Sequence, residues 1–262
     1  MKSFIATALL AGMALASPMM DRAKLELQAR NAARRSGARF KAVEDGGYGN
    51  LTAATVQSSN WGGAAIVTSG VTEVSGTFTV PKPSAPSGGS SGTDYCGAAW
   101  VGIDGYSNSA LIQTGVLWCV QGSSYEYEAW YEYLPASLIY YSGFSVTAGS
   151  AVTVGVTKTS TSGGTTTISA GGKSASHTFS GQSTKLQGAS AEWIVEDFTS
   201  GSSLVPFANF GTVTFTGATA IINGATVSAS SNSPVTIQLV SSSGSVLTGT
   251  TISGSTVTVV YE

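Results

Sequence analysis

From Ala54 onward the chain consists of short runs in which apolar and β-branched residues alternate with polar ones. VTEVSGTFTV (71–80), AVTVGVTKTS (151–160), TTTIS (165–169), TVTFTG (212–217), PVTIQLV (234–240) and TVTVVYE (256–262) are rich in Val, Thr, Ile and aromatics, and Gly, Ser and Asn separate them. A period of two predicts strands, and no helical period survives beyond a few residues. Residues 54–262 therefore read as one large antiparallel all-β sandwich of a dozen or more strands, a size that such folds reach as a single domain.

The alternation also sorts polar side chains by face. In YEYEAWYEYLP (125–135), Glu126, Glu128, Trp130 and Glu132 share one side, and the tyrosines share the other with Ala129. In AAWVGID, Trp100, Gly102 and Asp104 fall together; in ALIQTG, Leu111, Gln113 and Gly115; in AEWIVEDF, Glu192, Ile194 and Glu196, opposite Trp193, Val195 and Asp197. If these strands are neighbours, Gln113, Glu192, Asp104, Glu128, Glu132, Trp100 and Trp130 line one concave sheet. Of the tryptophans, Trp61 and Trp193 are expected in the core, and Trp100 and Trp130 as cleft walls. Glu126, Glu196 and Asp197 are expected to face solvent or to be structural.

The N-terminus departs from this pattern. Lys2 precedes an apolar run from Phe4 to Leu15 that closes with Ala14-Leu15-Ala16, a small-x-small signal-peptidase site, so residues 1–16 are expected to be a signal peptide and the chain to be secreted. No later stretch is apolar enough to span a bilayer. Residues 17–53 hold seven basic and four acidic residues, net +3, whereas residues 54–262 hold four basic and ten acidic, net −6. A basic leader on an acidic domain predicts a propeptide held electrostatically over the cleft and released in acid; the alternative is a solvated linker. With no basic stripe on the domain, nucleic acid is not an expected partner. Cys96 and Cys119, an even count in an oxidising route, are expected to form a disulfide, and Asn50-Leu51-Thr52 is a glycosylation sequon.

Chemistry narrows by exclusion. The single histidine, His177, lies in GGKSASHTFS, which reads as an exposed hairpin loop, so Ser-His-Asp and Cys-His hydrolysis lack their base. HExxH is absent, as are paired Asp-Thr/Ser-Gly loops, and no metal or other cofactor is expected. Carboxylate and carboxamide chemistry remains.

SSNWGGAAI (58–66), SGTFTVP (75–81), AAWVGIDG (98–105), ALIQTG (110–115), YEAWYEYLP (127–135), AEWIVEDF (191–198) and VPFANF (205–210) closely resemble the fungal glutamic peptidases, or eqolisins, across nearly all of residues 55–262. The resemblance implies two large antiparallel sheets in a jelly-roll or concanavalin-like sandwich, metal-free peptide hydrolysis at acidic pH, and a catalytic pair at Gln113 and Glu192. It also implies supporting roles for Asp104, Trp130 and Glu132. Leu117 and Leu134 depart from some relatives, which bears on pocket shape, and Glu128 replaces an aspartate.

The residues suit that chemistry on their own terms. Peptide hydrolysis needs an activated water, an oxyanion donor and a proton for the leaving nitrogen. Glu192 can take the water's proton and return it to the amine, and Gln113 offers an amide donor that does not titrate in acid. Crowding of Asp104, Glu128 and Glu132 around Glu192 is expected to set acid operation. A jelly-roll glycoside hydrolase, a lectin and a non-enzymatic adhesin are the rival classes. Glu128 and Glu132 stand about 13 Å apart along one strand, too far for a retaining carboxyl pair. The expected partners are peptide substrates, and the expected state is a monomer.

Overall fold

The computed structural model describes residues 40–41, 54–200 and 203–262. The predicted signal peptide, the sequon and all of the leader except Phe40–Lys41 lie outside the described residues. In chain order the strands are β1 (Phe40–Lys41), β2 (Ala54–Ser58), β3 (Trp61–Val67), β4 (Val71–Thr79), β5 (Tyr95–Ile103), β6 (Ile112–Gln121) and β7 (Ser124–Tyr133). There follow β8 (Ile139–Tyr140), β9 (Ala151–Ser160), β10 (Gly163–Ala170), β11 (Lys173–Phe179), β12 (Ser190–Glu196), β13 (Thr199–Ser200) and β14 (Ser203–Leu204). The last five are β15 (Thr212–Ile222), β16 (Ala225–Ser228), β17 (Val235–Leu239), β18 (Thr248–Ser253) and β19 (Thr256–Tyr261). Each alternating run in the sequence falls on one of these strands.

Two large sheets result. The first runs β1-β2-β17-β3-β12-β5-β6-β7-β8 and the second β11-β10-β9-β4-β15-β19-β18, with β16 on β15. Pairing within them is antiparallel except between β17 and β2. One apolar core lies between the sheets: Val101, Trp118 and Trp193 from the first meet Val154, Phe215 and Val257 from the second. The Trp193 indole N–H donates to the Ser75 carbonyl at 2.8 Å, tying β12 to the opposite sheet. A second tie is a buried hydroxyl chain: Thr114 donates to the Trp130 carbonyl, while Tyr141 lies 3.1 Å from Thr114 and donates to Thr166 of β10 at 2.9 Å.

His177 requires a correction. The hairpin reading of its surroundings holds, since β10 and β11 pair directly, but the residue is half-buried in β11 rather than exposed in a loop. Its ring stacks on Tyr131 at 4.2 Å and makes a T-shaped contact with Phe179 at 4.6 Å, giving the edge strand of the second sheet an aromatic contact with β7.

Candidate active site

The strand pairing supplies what periodicity could not. On the outer face of the first sheet the register aligns Ala65, Glu192, Gly102, Gln113 and Glu132 in one row across β3, β12, β5, β6 and β7. The next row is Gly63, Ile194, Trp100, Gly115 and Trp130, and the third is Trp61, Glu196, Ala98, Leu117 and Glu128. Beyond them Cys96 lies opposite Cys119, and the two form the predicted disulfide. Glu192 and Gln113 thus stand two strands apart, about 10 Å between backbones. The position between them is a glycine, Gly102, so no side chain fills the gap.

Gln113, Glu132 and Glu192 are fully buried. The Gln113 amide donates to the Glu132 carboxyl, which fixes the amide's orientation and leaves Gln113 Oε1 without a partner. Neither oxygen of Glu192 is hydrogen-bonded. Burial pushes this carboxyl well above the ordinary carboxylate range; the nearby Ser190 hydroxyl opposes the shift and the Asp104 charge adds to it. Ser190 Oγ lies close enough to be felt, yet it too lacks a hydrogen bond of good geometry. Four orphaned polar atoms therefore belong to three residues of one small region, although buried polar groups are normally paired.

Crowding is not what raises Glu192. Glu132 stands three strands away, about 14 Å, and Glu128 lies two rows further along β7, half-buried opposite Leu117. Desolvation is the leading cause, and Asp104 is the one carboxylate that contributes. Glu128 belongs to the far end of the face rather than to the Glu192–Gln113 gap.

Asp104 does not lie in the row either. β5 ends at Ile103, and Asp104 turns the chain with φ 73°, a conformation that Asp tolerates better than most residues. Its fully buried carboxylate accepts the backbone N–H groups of Gln187, Gly188 and Ala189 at 2.8–3.0 Å and the Asn108 side chain at 3.0 Å. These bonds hold the segment that enters β12 just before Glu192, so Asp104 supports the site by placing a strand.

Trp100 and Trp130 are fully buried rather than exposed walls. Gly115 separates them: a Cβ there would fall 2.0 Å from the Ala99 carbonyl and 2.6 Å from Trp100 Cβ, so only glycine fits against β5 at this position. Glu196 and Asp197 are buried, not solvent-facing. Glu196 accepts the Trp100 indole N–H at 2.8 Å. Burial, with Glu196 adding, lifts Asp197 to about 8. Ser190 and Glu196 were not singled out for the site by residue type; their place on the Glu192 face is the one sequence signal that marks them.

No two carboxylates stand on neighbouring strands of this face among the described residues, which leaves the glycosidase alternative without its acid pair. Residues 59–261 match the family model described as the Peptidase A4 family. The chain is 41% identical to aspergillopepsin-2 of Aspergillus niger over 97% of this chain and 96% of that protein. It is 39% identical to scytalidopepsin B of Scytalidium lignicola over 77% of this chain and 76% of that protein. Its structure is similar to scytalido-glutamic peptidase bound to a transition-state analogue inhibitor, with TM-score 0.70 and 34% identity over 78% of this chain and 98% of the other. It is likewise similar to aspergilloglutamic peptidase from Aspergillus niger, with TM-score 0.61 and 45% identity over 64% of this chain and 99% of the other.

Proposed function

Because the chain belongs to the Peptidase A4 family of glutamic peptidases, we propose that it cleaves peptide bonds in acid by means of Glu192 and Gln113 acting across Gly102. That it is an endopeptidase of protein and peptide substrates follows from the family; the division of labour is our reading. Glu192 removes a proton from the attacking water and returns it to the leaving amine. Gln113, its amide held by Glu132, donates to the oxyanion. One observation carries this reading: the unpartnered oxygens of Glu192 and Gln113 flank a position without a side chain. In the closed face burial holds Glu192 in its protonated form, so its action as base in acid requires the opened cleft to solvate it and relieve that shift.

Gln113, Glu132 and Glu192 have no exposed surface, so substrate access requires this row to open, and the full chain is read as a latent precursor. Residues 1–16 act as a signal peptide for secretion. The basic leader, residues 17–53, keeps the acidic domain closed until carboxylates protonate. The mature enzyme works as a monomer, without nucleic-acid or membrane partners.

The test incubates precursor and acid-treated protein at pH 3–4 with denatured haemoglobin and with xylan. Acid treatment should yield a chain starting near Thr55 that digests haemoglobin alone. Gln113→Ala should lower kcat by about 10²–10³, and Glu192→Gln by about 10²–10⁴, with folding intact. Wild-type turnover by either folded variant would remove that residue from the mechanism, and an active precursor at pH 7 would refute latency.

A further inference from the structure

We propose that Glu196 is a positioning residue for this reaction, setting through the Trp100 indole the floor of the gap between Glu192 and Gln113. The proposal rests on the reading of those two residues as the catalytic pair.

Glu196 cannot take part directly. It follows Glu192 by four residues on one strand face, which places the two about 13 Å apart. Trp100 lies between Glu196 and the Gly102 position. The indole nitrogen sits 2.8 Å from Glu196 Oε2, while at the other end of the ring system Cζ3 lies 2.9 Å from where a Gly102 Cβ would stand. The ring therefore reaches from the third row of the face to the first, and its benzo edge lies over the residue that separates Glu192 from Gln113. Fixing the nitrogen fixes that edge.

Three features keep the indole in this pose. Gly102 leaves the ring room along β5, and Gly115 of β6 leaves room for the root of the side chain, since a Cβ there would meet Trp100 Cα and Cβ. Trp61 meets it edge-on at 4.9 Å and 78°, which limits sideways tilt. The glutamate supplies the directional restraint, because its Oε2 accepts the one N–H that the indole offers. Trp100 and Glu196 are both fully buried, so water does not compete for the bond. Without the acceptor, the indole N–H becomes a buried orphan and the ring turns to find another partner, moving the edge over Gly102.

Four variants separate positioning from bulk stability: Glu196→Ala, Glu196→Gln, Trp100→Phe, and Glu196→Ala combined with Trp100→Phe. Each is assayed for kcat and KM on a peptide substrate at acidic pH. Glu196→Ala should lower kcat by about tenfold to a hundredfold, the range expected when reacting groups are displaced by about 1 Å, with a smaller change in KM. Glu196→Gln keeps a carbonyl acceptor and should restore kcat to within about threefold of wild type. In the Trp100→Phe background, removing Glu196 should cost less than about twofold, because the bond it made is already gone. An equal loss in both backgrounds, or wild-type kcat in folded Glu196→Ala, overturns the proposal. If Glu196→Ala does not fold, Glu196→Gln and Trp100→Phe decide: a kcat loss in Glu196→Gln as large as in Glu192→Gln, or none in Trp100→Phe, also overturns it. Inactive Glu192→Gln beside fully active Glu196→Ala sinks positioning alone, whereas active Glu192→Gln sinks the catalytic pair.

Discussion

The two sheets treat their outer faces in opposite ways. In the second sheet, β4 and β9 alternate buried and exposed residues, and the exposed side is furnished with hydroxyls. Thr77 bonds Thr153 at 2.8 Å and Thr165 bonds Thr178 at 3.1 Å, and the groove there has Glu73 as its lone charged residue. In the first sheet, β5 and β12 are buried along their entire length on both faces. The outer face carries Glu132, Glu192 and Glu196, fully buried, together with Trp61, Trp100 and Trp130. Threonine hydroxyls stay neutral across the working pH range. Buried carboxyls do not, and those with raised values, Glu192 and Asp197, lie on or just after β12 of the first sheet.

The largest contrast concerns backbone approach. Gly115 and Gly155 occupy mid-strand positions in the two sheets. A Cβ on Gly115 would lie 2.0 Å from the Ala99 carbonyl and 2.8 Å from Trp100 Cα, backbone atoms that cannot step aside. At Gly155 the nearest atom is Thr167 Oγ1 at 2.9 Å, which can rotate away. Gly115→Ala should therefore destabilise the fold by at least about 3 kcal/mol or prevent folding. Gly155→Ala should stay within about 1 kcal/mol of wild type, since strand alanine loses less entropy than glycine. Urea unfolding of both variants checks this, and equal costs would erase the distinction between the sheets.

The next contrast is titration. Asp197 follows β12 and is lifted from an ordinary 3.8 to about 8, mainly by burial, and Glu192 is raised in the same direction. A carboxyl whose folded value exceeds its unfolded value favours the folded state below the unfolded pKa, and this contribution is lost as pH climbs through the folded one. Stability should thus be greatest below about pH 4 and decline towards pH 8. The total is on the order of several kcal/mol, at 1.36 kcal/mol for each pH unit of displacement. Asp197→Asn should flatten much of that decline when unfolding free energy is measured at pH 3.5, 5.5 and 7.5. A slope unchanged by the substitution would show that other groups govern alkaline loss.

The sequence exposed these faces more readily than their assembly. Alternation placed Gln113, Glu132 and Glu192 correctly on their own strands, because a period of two needs only local residues. It could not show that β12 lies beside β5, a pairing between segments about ninety residues apart, so the meeting of Glu192, Gln113 and Glu132 on one sheet stays conditional in the sequence, and the place of Gly102 between them emerges only from the register. Asp104 was misassigned for a local reason: parity continues past Ile103 on paper, but the backbone turns at φ 73° and removes the residue from the face. Of the three carboxylates expected to crowd Glu192 only Asp104 acts on it, because a shared face is not proximity: rows and strands separate Glu128 and Glu132 from it. His177 was misread because small neighbours suggest exposure, and nothing nearby in sequence announces Tyr131 as its stacking partner.

The smallest expected effect gives the comparison its control. Thr153 sits on the exposed face of β9, and its hydroxyl meets Thr77 across the strand pair. Such pairs contribute about 0.2–1 kcal/mol, and water can replace a lost exposed bond. Valine preserves the β-branched shape that favours a strand. Thr153→Val should therefore shift unfolding free energy by no more than about 0.5 kcal/mol, the usual range for surface changes. Because no ionisable group is altered, that shift should be the same at pH 3.5 and pH 7.5, and kcat on a peptide substrate should not move. A pH-dependent shift would mean that the hydroxyl face is coupled to the buried carboxyls through the core. A loss of activity would place a functional surface on the second sheet, and the division between a catalytic sheet with buried carboxyls and a hydroxyl-faced one would no longer hold.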